Sequence, residues 1–109
     1  MNLTSYLQEQ RLMIALKGDI DHHSARETLL VVHEKIDQYL PSVCILDFKD
    51  VTFMDSSGIA IVIAALRRMR EVDGAVILSH VPPQAEKVFL AAGIDRLVKL
   101  EGRSTVHEN

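Results

Sequence analysis

Asp55-Ser56-Ser57-Gly58 brings a carboxylate and two hydroxyls together within four residues. Before them lies a short apolar run, Val43-Cys44-Ile45-Leu46, and after them an apolar stretch that begins at Ile59. The run reads as a buried strand and the stretch as a helix, so the four residues stand where a helix begins. A helix start has unpaired N–H groups and a partial positive charge, and it favours an oxygen or an anion there. The ordinary use of such a tetrapeptide is a cap. Its other use is to present a hydroxyl that can carry a phosphate.

Catalysis is a poorer match. Ser56 as a nucleophile would need a histidine base, the Gly-x-Ser-x-Gly signature is absent, and a carboxylate beside the serine would oppose a developing oxyanion. There is no glycine-rich phosphate loop with its lysine, so the chain does not read as a kinase. No catalytic residue and no cofactor are expected. Asp19, Asp21, His22 and His23 suggest a metal cluster, but adjacent histidines at a helix start diverge and the i, i+4 ligand spacing is missing. Capping and exposure are the expected roles, with no metal site. His33, His80 and His107 form no pattern.

The 109 residues predict one domain spanning 1–109, and 48% hydrophobic residues supply a core. A net charge of -3 offers no basic field for nucleic acid or an anionic membrane. Trp is absent and aromatics are few, which disfavours base stacking. No apolar run reaches the ~20 residues of a membrane span, and no basic start precedes an apolar stretch. A soluble cytoplasmic domain is expected. The single cysteine, Cys44, reads as a small core residue.

The elements that must position the serines follow from periodicity. Leu3 to Leu7 and Arg11 to Lys17 read as strands, the second with Leu12, Ile14 and Leu16 on one face. Gly18 to Asp21 ends it, and Asp21 can cap the next helix. Ala25, Leu29, Val32, Ile36 and Leu40 mark that helix's inner face, and Pro41 stops it. After Val43 to Leu46, residues 47–54 read as a connection with Phe53 and Met54 tucked inward. In the following helix Ile59, Val62, Ile63, Leu66 and Met69 can pack on a sheet. Ile61 with Ala60, Ala64 and Ala65 forms a second, shallow face that suits either burial or a partner. Arg67, Arg68 and Arg70 form a cationic end that is solvated or meets an acidic partner. Asp73-Gly74 ends this helix and Ala75 to Leu78 is a strand. Pro82-Pro83 starts a helix with Ala85, Val88, Phe89 and Ala92 inward, Gly93 closes it, and Leu97 to Leu100 is a last strand. This order predicts an α/β fold, a mixed sheet parallel at its centre and covered by helices.

Three stretches together resemble a known family. VTFMDSSGIAIVI, GDIDHHSARETL (Gly18 to Leu29) and VPPQAEKVFLAAGIDRLVKL (Val81 to Leu100) are similar to anti-sigma factor antagonists, the STAS domains of bacterial partner-switching systems. The likeness spans nearly the whole chain and leans toward the sporulation branch. It implies a single STAS domain whose partners are an anti-sigma factor with serine kinase activity and a metal-dependent serine phosphatase. It implies phosphorylation of the serine directly after the aspartate, here Ser56, and places Asp21 near it. Together with the helix-start and helix-face readings above, the expected partner-binding residues are Asp21, Asp55, Ser56, Ser57, Gly58 and Ile61. Gly58 is expected to let a partner backbone approach. The family ends in a longer amphipathic helix than residues 101–109 could form. The other reading is a STAS-type structural or sensory module of a larger signalling assembly, or a relative of the cytoplasmic domain of anion transporters.

Overall fold

The computed structural model describes residues 2–102. Beyond Gly102 the tail falls outside the described residues. Five strands form one sheet in the order β1-β2-β3-β4-β5: β1 (Asn2–Gln8), β2 (Arg11–Ile20), β3 (Val43–Met54), β4 (Ala75–Ser79) and β5 (Lys99–Glu101). β1 pairs antiparallel with β2, and the other neighbours are parallel. Helices α1 (His22–Tyr39), α2 (Ser57–Glu71) and α3 (Pro83–Ala91) supply the crossovers that parallel neighbours require. The expected mixed α/β sheet is the observed one.

Register explains the core. Leu12, Cys44 and Val76 lie side by side across β2, β3 and β4, and so do Ile14, Leu46 and Leu78. All six are buried, and α1 and α2 pack together over these strands. Burial pushes the Cys44 thiol up to about 12, so it stays protonated and behaves as an apolar side chain. α3 packs against β3, where Phe48 and Phe89 meet edge to face with ring centroids 5.4 Å apart.

Residues 47–54 are strand, not connection. β3 continues to Met54 beside β2, which itself runs on to Ile20. Two register shifts, between Ala15 and Lys17 and between Gly18 and Asp19, leave β3 with an extra residue at each. Gly18 sits at the second with φ +88°, a conformation that costs glycine little. The bulges turn the burial pattern of β3 to Phe48, Val51 and Met54, a spacing of three. That spacing fits no simple strand. It also turns Phe53 outward, 45% exposed, against the inward position expected for it.

Smaller departures have local causes. The β1–β2 hairpin closes on Glu9-Gln10, both at positive φ (50° and 68°), as a two-residue turn requires. Thr28 takes the inner position in α1, while Leu40 is the left-handed C-cap and exposed. Ala92 is exposed just beyond α3, and a 3-10 turn (Ile94–Arg96) delays β5 to Lys99. Arg68 bridges Asp37 of α1 and Glu71, tying the cationic end of α2 to its own chain.

Candidate functional site

The ends of β2 and β3 lie side by side, with Ile20 paired to Met54 and the Asp55 N–H donating to the Ile20 carbonyl at 3.0 Å. Each strand then turns straight into a helix. Asp21 opens α1 and Asp55 precedes α2, so the two acidic turns are neighbours at the carboxyl ends of parallel strands. Open α/β sheets commonly place their sites at such ends.

Asp21 is the N-cap of α1. Its Oδ1 accepts from the N–H groups of His23 (2.9 Å) and Ser24 (3.1 Å), and Ser24 Oγ accepts from the Asp21 N–H at 3.1 Å. This reciprocal pair is a capping box with serine in the second position. The Ser24 N–H, ahead of the counteracting burial, holds the Asp21 carboxyl below the usual carboxylate range. The carboxylates of Asp19 and Asp21 are both engaged in hydrogen bonds within the chain. Asp19 Oδ1 accepts from Thr52 Oγ1 at 2.6 Å, and the His22 and His23 rings lie against each other with centroids 4.1 Å apart.

At α2 the division of labour within the tetrapeptide becomes clear. Asp55 Oδ1 accepts from the Ser57 N–H at 2.7 Å. The Asp55 and Ser56 carbonyls accept from Gly58 and Ile59 at 3.1 Å each. The first N–H groups of the helix are thereby satisfied without a serine hydroxyl. Ser56 stands at the N-cap position but makes no side-chain cap, and it is exposed. Ser57, the first helical residue, is half-buried.

Two of the expected partner-binding residues face inward. Ile61 is fully buried, one of the α2 side chains in the core, so it offers no surface. The helix has a wide apolar arc, and its buried edge runs through Ile61 instead of Ile59 and Ile63, which are half-buried. Gly58 is buried too, and its close neighbour is Met54 of its own chain. A Cβ there would fall inside contact distance of the Met54 sulfur and 2.6 Å from Met54 Cγ. The glycine's small size is an internal packing requirement.

Two residues at the site carried no recognisable signal. Phe53 projects an aromatic ring two residues before Asp55, in register with Asp19. Gln84 of α3 hydrogen-bonds Met54 twice, its Oε1 accepting from the N–H and its Nε2 donating to the carbonyl, both at 2.8 Å. No periodicity or spacing links a glutamine after two prolines to a residue thirty positions earlier.

The STAS domain family model matches residues 3–109. The chain belongs to the STAS domain family. It is 31% identical over 85 residues to the anti-sigma F factor antagonist of Lysinibacillus sphaericus, covering 78% of this chain and 73% of the relative. Among solved structures it resembles the anti-sigma factor antagonist SpoIIAA in its unphosphorylated form. The TM-score is 0.79 at 27% identity, over 91% of this chain and 87% of the other. The Bacillus cell fate determinant SpoIIAA in its phosphorylated form gives 0.71 at 27% identity, over 91% and 90%. This STAS domain thus shares its fold with structures solved in unphosphorylated and phosphorylated forms.

Proposed function

We propose that this STAS domain is an anti-sigma factor antagonist switched by phosphorylation of Ser56. In the unphosphorylated form it binds an anti-sigma factor that is also a serine kinase and so releases a sigma factor. Phosphorylation ends that binding, and a metal-dependent serine phosphatase restores it. The domain acts in the cytoplasm as a binding module without catalysis of its own. The observation that supports this reading best is the Ser56 hydroxyl: exposed, at a helix N-terminus, and released from capping by Asp55.

The electrostatics are consistent. A phosphate adds about -1.5 to -2 charge. The N-terminus of α2 tolerates that charge in the free protein. A close interface must instead desolvate it next to Asp55 and the acidic turn of Asp21. Swinging a complex from ~99% to ~1% formed takes about 5.5 kcal/mol of differential affinity. Asp21, Asp55, Ser56 and Ser57 border the contact surface, with Phe53 as an apolar anchor beside them. Gly58 and Ile61 shape it from beneath.

Incubation with the cognate anti-sigma factor kinase and Mg-ATP, followed by peptide mass spectrometry, tests the site. Phosphate on Ser56 is expected. Phosphate on Ser57 in the wild-type chain would refute the assignment.

A further inference from the structure

β4 pairs with β3 only from Val43–Ala75 to Asp47–Ser79. Beyond Asp47, β3 runs on for seven more residues with β2 on one side and no β4 on the other. At Met54, the last residue of β3, the Gln84 side chain fills that open edge. Its amide meets the Met54 N–H and carbonyl as a neighbouring strand's peptide would, with two bonds of 2.8 Å. Met54 is also fixed by its side chain, which is fully buried and lies against Gly58. Asp55, the next residue, is tied to Ile20. The backbone that leads into Ser56 is thus held by β2, by α2 and, through one exposed side chain, by α3.

Resting on the reading of Ser56 as the phosphoacceptor, we propose that Gln84 is a positioning residue for it: its amide clamps Met54 and holds the serine loop in the conformation the kinase reads. An amide suits the task because it offers one donor and one acceptor side by side. Alanine offers neither. An ionised glutamate can accept from the Met54 N–H but opposes the Met54 carbonyl, whereas a neutral carboxyl regains both roles.

The test compares wild type, Gln84→Ala, Gln84→Glu and the exposed control Lys87→Ala by two readouts. The first is the amide NMR spectrum of residues 54–58. The second is the rate of Ser56 phosphorylation by the cognate anti-sigma factor kinase with Mg-ATP. In Gln84→Ala the amide signals should move, and phosphorylation should slow on the order of tenfold, because small misplacements of a reacting group are costly. In Gln84→Glu the signals should return toward wild-type positions as pH falls through about 4.3, the ordinary glutamate range. Lys87→Ala should change neither. Displaced signals with an unchanged rate, or unchanged signals, would overturn the proposal while leaving Ser56 in place. A wild-type chain that takes no phosphate would overturn the Ser56 reading and this proposal with it.

Discussion

Asp55 caps α2 by accepting from the Ser57 N–H at 2.7 Å, and Ser56 between them makes no side-chain cap. The structural load at this helix start therefore rests on the carboxylate. Ser56→Ala should change stability by less than about 0.5 kcal/mol, as surface substitutions usually do. Asp55→Ala should cost about 1 kcal/mol, a typical loss for an N-terminal cap. Urea melts of the two variants check the contrast, and equal losses would return the capping role to the serine.

Gly58 and Met54 make a second pair. Because the Met54 side chain is fully buried, it has little room to retreat from a new methyl. Gly58→Ala should destabilise by about 1–3 kcal/mol, the usual range for overpacking. The same change in a Met54→Ala background should cost less. A double-mutant cycle by denaturant unfolding measures the coupling, and strict additivity would show that the two do not compete for space.

Acid should act through Asp21. Its folded-state carboxyl lies below the ordinary value of 3.8, so its contribution to stability is present above that value. The contribution is lost as pH falls from there through the lower folded-state value. Asn caps helices about as well and does not titrate. Asp21→Asn should therefore lose less stability than wild type between neutral pH and acid below 3.8. Thermal melts across that window check it, and parallel curves would assign the acid sensitivity elsewhere.

Phe53 is exposed beside the serine loop and contributes little to the core. Phe53→Ala should leave the melting temperature nearly unchanged and weaken anti-sigma factor binding at least tenfold, as loss of an aromatic anchor does. Calorimetric titration of the folded variant measures it. Unchanged affinity would place the contact surface away from β3.

The features readable in the sequence were those written locally. The Asp21 cap, the α1 spacing through Ala25, Val32 and Ile36, and the Asp55-Ser56-Ser57-Gly58 helix start each depend on residues a few positions apart. Beyond Leu46 the sequence hides the strand, because two bulges break the alternation of β3 and Phe48, Val51 and Met54 recur every third residue. The same bulges turn Phe53 outward, against the inward position that its apolar character suggests. Ile61 sits in a helix apolar on several sides, where composition does not say which edge is buried. The Gln84–Met54 contact joins residues thirty positions apart, which local patterning does not encode. Gly58 and Met54 are only four apart, but their contact depends on how β3 turns into α2, and the bulges hide where β3 ends.

The central claim is that phosphate on Ser56 switches the affinity of this STAS domain for its anti-sigma factor. Isothermal titration of the anti-sigma factor, with nucleotide present, against the unphosphorylated, phosphorylated, Ser56→Ala and Ser56→Asp forms tests it directly. Wild type and Ser56→Ala should bind alike, Ser56→Asp more weakly, and the phosphorylated form weakest, by up to about 10⁴-fold for a full switch. Equal affinities for the phosphorylated and unphosphorylated forms would contradict it.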